Sequence, residues 1–259
     1  MPAPASITAI NALTDWWEEM GVDVDHARVD AFLKAAESTG SAAPQQNAPV
    51  RPRRRKPTNW VEEARSQAAG CDTLNALKAA IESFEGSPLK AAAHSTVVYD
   101  GTPGASLMVI GEGPGAEEDR KGLPFVGKAG QLLDRMLDAI GMGRAHPDAL
   151  KSVYITNILP WRPPQNRDPT PEEIGMMLPF VARHVQLAEP DVLVLMGNIS
   201  CLALLGRKGI TRLRGTWTEA LGKPALPMFH PAYLLRNGHA KRDAWHDLLM
   251  LQDRLRRAE

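Results

Sequence analysis

The chain has 259 residues and a hydrophobic fraction of 44 %, enough for one full-sized core with an appendage. Its 30 basic and 30 acidic residues cancel, which excludes a polycation, so affinity for nucleic acid must come from local clusters. Cys71 and Cys201 are the only cysteines; two thiols make a disulfide framework improbable and, without His at ligand spacing, argue against structural zinc.

In chain order, the first twenty residues lack a basic stretch and carry acidic residues early, so they do not read as a signal peptide. No apolar run is long enough to span a bilayer, and a reducing cytoplasm is the expected location. Residues 1–38 form an expected N-terminal helical segment. Ile7, Ile10, Leu13, Trp17 and Met20 share one helical face, and Val29, Phe32, Leu33 and Ala36 repeat the pattern. Residues 39–59 turn to Ser, Ala, Pro, Gln and Asn and then to RPRRRKP, the composition of a flexible basic linker. That basic run is either a solvated tether or a nonspecific phosphate contact that salt would weaken.

From residue 60 to 259 the pattern is that of one α/β domain. Apolar runs at 106–110, 153–156, 192–196 and 225–229 have the length of buried strands. Ala129, Leu132, Leu133, Met136, Leu137 and Ile140 mark a helix that Gly141 can stop. Thr170, Pro171 and Glu173 can cap and open another; a third starts near Asn198 and the last runs from 240 to 257. The expected fold is a central four-stranded parallel sheet flanked by helices on both faces.

The unusual residues fall just beyond the strand ends. The first run leads into Gly111-Glu112-Gly113-Pro114-Gly115, the second into Asn157, the third into Gly197-Asn198 and the fourth into His230-Pro231. In open parallel sheets ligands bind beyond the carboxyl ends of strands, so four distant segments are expected to converge on one site. Glu112, Glu118 and Asp119 offer carboxylates that could orient water or stabilise a developing cation. Asn157 can pair bidentately with a base edge, His230 can donate to an oxygen gaining charge, and Phe125 offers a flat face. Together they suit cleavage of an N-glycosidic bond, whose transition state separates into a cationic sugar and an anionic base. Taken singly, each has a plainer reading: a hydrogen-bonded His, a turn Asn, a solvated helix start, a core Phe.

Two motifs mislead. Residues 122–129 nearly spell a phosphate-binding loop, but Ala129 stands where Ser or Thr should hold magnesium, and Pro124 removes an amide. Residues 111–116 fit a loose dinucleotide fingerprint, against which Glu112 and Pro114 sit badly.

The run from Gly111 to Asp119, the run from Gly122 to Leu133, Tyr154-Ile-Thr-Asn157 with Arg162-Pro-Pro-Gln-Asn-Arg167, and His230-Pro-Ala-Tyr-Leu-Leu-Arg236 together resemble the motifs of family 4 uracil-DNA glycosylases. The likeness covers roughly residues 80–255 in consistent order. It implies hydrolysis of the N-glycosidic bond of a flipped-out deoxyuridine, leaving an abasic site. Phe125 would stack on the uracil, Asn157 would read its polar edge and reject cytosine, and His230 would stabilise the uracil anion. Glu112 would build the water network with Asn166, and Glu118 would lie near the base. Gly113 stands where some relatives carry a catalytic Asp, so its backbone would face the sugar. Leu234 would wedge into the duplex, with Tyr233, Leu235, Arg236, Arg162 and Arg167 also against DNA.

Family 4 enzymes are typically built around a four-iron cluster held by four cysteines. The corresponding positions here are Phe84, Ser87, Trp161 and Met177, none a thiol, so neither cluster nor other metal is expected. The loop after Arg167 lacks the basic, His-containing insert of relatives that bond covalently to abasic DNA, and no lysine is placed for a Schiff base; ordinary monofunctional turnover is expected. The expected partner is uracil-containing DNA, with no membrane, a monomeric chain, and N-terminal helices free to meet a further partner. The rival reading is a module of the same fold that binds uracil or abasic DNA with little turnover.

Overall fold

The computed structural model describes residue 14, residues 24–27 and 29–31, and residues 59–257. The expected N-terminal helical segment and basic linker lie outside the described residues apart from those few positions. Asn59, placed at the linker's end by sequence, caps the helix that starts at Trp60, its side chain accepting the Glu62 N–H at 3.4 Å.

Among the described residues six strands form one sheet in the order β1-β3-β2-β4-β6-β5. They are β1 (Tyr99–Gly101), β2 (Leu107–Gly111), β3 (Val153–Asn157), β4 (Val192–Met196), β5 (Thr218–Ala220) and β6 (Lys223–Met228). The inner four are parallel and correspond to the four apolar runs. The four-strand expectation is therefore corrected to six, with short antiparallel edges at β1 and β5. Sequence could not show them, because Tyr-Asp-Gly and Thr-Glu-Ala are three residues long and carry no apolar run. Strands β2, β3 and β4 are buried on every residue, as parallel strands covered on both faces must be.

Nine helices accompany the sheet between residues 59 and 257. They are α1 (Trp60–Ala69), α2 (Leu74–Ser83), α3 (Ala116–Lys121), α4 (Lys128–Asp138), α5 (Pro171–Ala188), α6 (Asn198–Leu205), α7 (Ile210–Leu213), α8 (Pro231–Arg236) and α9 (Lys241–Arg256). Helices α1 and α2 pack on α5, whereas α8 and α9 pack on α4. The start of α5 follows its sequence signal: Thr170 Oγ1 accepts the Glu173 N–H at 3.2 Å, and the Glu173 carboxylate accepts the Thr170 N–H at 2.8 Å. After α4, Gly141 takes a left-handed conformation (φ 79°) while the Met142 N–H returns to the Leu137 carbonyl at 3.0 Å. No helix among the described residues is long and apolar enough to cross a membrane.

Phe84, Ser87, Trp161 and Met177, the residues expected in place of cluster ligands, are all buried. Phe84 meets Trp60 and Phe180 edge-on, with ring centroids 5.9 and 5.3 Å away. The Trp161 indole N–H donates to Thr96 Oγ1 at 3.0 Å, Ser87 Oγ accepts the Leu89 N–H at 3.3 Å, and Met177 lies in the core on α5. A donor set without a thiolate does not fit an iron–sulfur cluster. Cys71 and Cys201 are buried thiols elsewhere in the chain, on the turn after α1 and on α6, and burial pushes both up. Among the described residues no three His, Cys, Asp or Glu side chains are grouped to hold a metal ion.

Candidate active site

Beyond the carboxyl ends of β2 and β3 the two chains stay zipped: the Ile158 N–H donates to the Gly111 carbonyl at 2.9 Å and the Leu159 N–H to the Glu112 carbonyl at 3.0 Å. This continuation holds Glu112 and Asn157 side by side. Gly111 leaves room for what lies above it. A Cβ there would sit 2.4 Å from Asn157 Oδ1 and 2.6 Å from the Phe125 ring, so only glycine lets amide and ring meet over the strand end. Asn157 is 6 % exposed, and its amide makes no hydrogen bond to another described residue.

A cavity of about 490 Å³ opens at this rim. Glu112, Glu118, Phe125, Asn157 and His230 all line it, although they come from three separate stretches of chain. Gly113 lines it with its backbone. Burial pushes the Glu112 carboxyl up to about 7, Asp168 adds to the rise and Lys208 opposes it. No hydrogen bond or ion pair joins that carboxylate to another described residue. Glu118 contrasts with it, since its oxygens accept the N–H groups of Gly115 (3.1 Å), Val126 (3.0 Å) and Gly127 (2.8 Å). The last two are amides that a phosphate-binding loop would have offered, so the near-match at 122–129 is filled by a carboxylate. Asp119, weighed with the other two carboxylates, points away: it is buried and accepts the N–H groups of His94 and Ser95.

On the facing side, His230 caps α8, its Nδ1 accepting the Ala232 N–H at 3.2 Å. Burial first, and then the Arg236 charge, push the imidazole down to about 4, with Glu118 opposing. At neutral pH the ring is uncharged, and because Nδ1 accepts, its one proton rests on Nε2. Its plane lies 27° from that of Phe125, with centroids 5.4 Å apart. Gly197 has φ 92°, and a Cβ on it would come within 3.1 Å of the His230 Cβ, so the β4 loop closes tightly beneath the imidazole.

The remaining expected residues divide. Tyr233 and Arg236 line the cavity mouth, Tyr233 stacked on Phe229 at 4.9 Å. Leu234 does not reach the surface: it is 1 % exposed and lines an apolar crevice with Leu132, Met136 and Leu248. Its neighbour Leu235 is 46 % exposed. Leu234, expected to wedge into the duplex, is thus turned inward onto α4, and the leucine that α8 presents at the surface is Leu235. Asn166 lines the cavity with φ 53°, and its Oδ1 accepts from Arg162 Nε at 2.8 Å. Arg167 also lines the cavity but pairs bidentately with buried Glu173, so much of its charge is spent bracing α5. Asn198, expected at the rim just beyond the third strand, does line the cavity, whereas sequence reasoning missed Asp168, Lys208 and Ile210. Asp168 and Ile210 line the cavity and Lys208 bears on the Glu112 charge, yet each sits in a loop or short helix without a signal of its own.

Residues 98–249 match the family described as the Uracil DNA glycosylase superfamily. A type-4 uracil-DNA glycosylase of Thermotoga maritima is 41 % identical over 153 residues, spanning 58 % of this chain and 77 % of the relative. Another, from Archaeoglobus fulgidus, is 39 % identical over 144 residues, 52 % of this chain and 69 % of the relative. A third, from Sulfurisphaera tokodaii, is 31 % identical over 192 residues, 70 % of this chain and 84 % of the relative.

Proposed function

The chain belongs to the uracil DNA glycosylase superfamily, and from that premise we propose that it is a uracil-DNA glycosylase, hydrolysing the N-glycosidic bond of a deoxyuridine turned out of DNA and leaving an abasic site. The observation that carries this reading is one cavity lined by an Asn amide and a carboxylate that have no partner among the described residues, an aromatic face and a neutral imidazole.

The uracil stacks on Phe125. The Asn157 amide accepts from the base N3–H and donates to its O4, a pairing that cytosine inverts. As the glycosidic bond breaks, electrons move onto the base. The His230 Nε2–H donates to the oxygen that gains charge, and a neutral donor keeps its proton there through the step. Ionised Glu112 faces the cationic sugar and aligns the attacking water. Gly113 leaves the approach free of a side chain. On the DNA side, Leu235 fills the vacated stack, offsetting an unstacking cost of a few kcal/mol, and Arg236 meets phosphate. We also propose that residues 60–259 carry this activity without an iron–sulfur cluster, the ligand positions being filled by Phe84, Ser87, Trp161 and Met177.

Incubation with a uracil-containing oligonucleotide followed by alkali tests the proposal. Strand breakage at catalytic protein levels is expected, with Asn157→Asp much slower because a carboxylate cannot donate to O4. Tight binding without an abasic product would instead favour a binding module. An iron assay expects none; a brown protein absorbing near 400 nm would overturn the cluster-free reading.

A further inference from the structure

Phe125 is held in an unusual way. Its backbone is left-handed (φ 53°), a region that disfavours a bulky residue, so neighbours must impose it. Helix α4 presses from one side: a Cβ on Gly130 would lie 1.8 Å from the Phe125 carbonyl oxygen. Glu118 takes the two amides that follow the ring, those of Val126 and Gly127. Arg144, nineteen residues downstream of Phe125, donates to the Pro124 and Phe125 carbonyls.

The guanidinium is saturated. Nη1 donates to Asp100 Oδ2 (2.7 Å) and the Pro124 carbonyl (3.1 Å). Nη2 donates to the Phe125 carbonyl (2.9 Å) and Asp134 Oδ1 (2.8 Å), and Nε donates to Asp134 Oδ1 at 2.9 Å. These five bonds use all five donors of an arginine. Two carboxylates more than balance its charge, so Arg144 is not a free cation awaiting phosphate. Its side chain is 17 % exposed. Lysine, with three donors on a compact ammonium, could not make this set.

We propose that Arg144 is a positioning residue for the reaction. With Glu118 it clamps the 124–127 loop, fixing the height and tilt of the Phe125 ring over the end of β2 and so the plane on which the flipped base rests. Asp100 on β1 and Asp134 on α4 are the anchors through which the sheet edge and a flanking helix set that plane. This rests on the stacking role given to Phe125 above. It accounts for a charged side chain outside the cavity lining that donates to the carbonyl of the stacking residue and to that of Pro124 before it.

A double-mutant cycle on single-turnover uracil excision tests it, with Arg144→Lys, Phe125→Ala and the double variant compared well below their melting temperatures. Arg144→Lys is expected to slow excision about ten- to a hundredfold, the size of effect expected from misplacing a bound group by about 1 Å. It should also raise the inhibition constant of free uracil. In the Phe125→Ala background the same change should cost less than about twofold, because the ring it positions is gone. Asp100→Asn serves as a gentler second probe and should show the same loss of effect without Phe125. Equal slowing in both backgrounds, or Arg144→Lys at parent rate with unchanged uracil inhibition, overturns the proposal and leaves the glycosylase reading standing. If Phe125→Ala itself excises at parent rate, the stacking role falls, and the positioning role falls with it.

Discussion

The two sides of the cavity mouth are built differently. The β2–β3 side is a braced wall, where Glu118 accepts from backbone amides and Arg144 donates to two carbonyls and two aspartates, and in front of it stands one carboxylate, Glu112, with no partner among the described residues. The β4–β6 side is a helix start: His230 caps α8, and the next turn lays Tyr233 against Phe229 and carries Leu235 and Arg236 toward solvent. Titration separates them further. Burial raises Glu112 to about 7 and lowers His230 to about 4, because it disfavours whichever form is charged. One side must therefore gain a charge to act and the other must avoid one, and both conditions hold above neutral pH.

The sharpest way to break this asymmetry is Glu112→Gln. Excision should slow by about 10²–10³ in the chemical step, comparable to losing one preorganised electrostatic contact. The parent rate should rise with pH through about 7 as Glu112 ionises, with no further limb from His230 until about 4. The variant should lose the limb at 7. Stability should move the other way. A carboxyl whose folded value lies above its unfolded value stabilises the protein below the unfolded value, near 4.5, and that contribution is lost as pH rises through about 7. The glutamine variant should therefore be more stable than the parent at pH 8, by about 1–3 kcal/mol, and equal to it below 4.5. Urea melts at the two pH values check this; a variant that is less stable at pH 8 would show that Glu112 has a partner when ionised.

The helix side can be divided between adjacent leucines. Leu234→Ala removes a core side chain and should cost about 2–5 kcal/mol of stability while sparing the rate of the folded fraction. Leu235→Ala should leave the melting temperature nearly unchanged and slow excision from duplex DNA severalfold, with less effect on single strands, which need no wedge. If Leu234→Ala alone impairs duplex excision without lowering stability, the α8 face is reversed when DNA binds.

Much of the fold was legible, and for a physical reason. The four central strands are buried on both faces, so they appear as continuous apolar runs, and the rule that ligands sit beyond parallel strand ends placed Glu112, Asn157 and His230 on one rim. Thr170 and Gly141 announced helix ends because capping is local chemistry. What sequence could not show depends on direction rather than identity. In Leu234-Leu235 two identical side chains point opposite ways, and only the packing of α8 decides which is buried. Likewise Glu117, Glu118 and Asp119 are consecutive, yet one pairs with Arg120, one grips the 126–127 amides and one accepts from residues 94 and 95. Arg144 gave no sign, because two of its partners are carbonyls, which every residue has, and the others are aspartates that only the fold brings to it.

Asp168 allows the smallest and most discriminating test of the two-sided picture. Its charge reaches Glu112 across the cavity and adds to the rise that burial begins, but Asp168 is itself exposed, so solvent screens it. Asp168→Asn should therefore move the acid limb of the excision profile to lower pH by less than about one unit, leave the plateau rate above pH 8 within about twofold, and not touch the His230 side. A pH–rate profile at low and high salt checks it, since the shift should shrink as salt screens the parent interaction. A limb that stays at about 7 would mean that burial alone sets Glu112. A collapse of the plateau would mean that Asp168 handles the water itself and that the braced wall presents two working carboxylates instead of one.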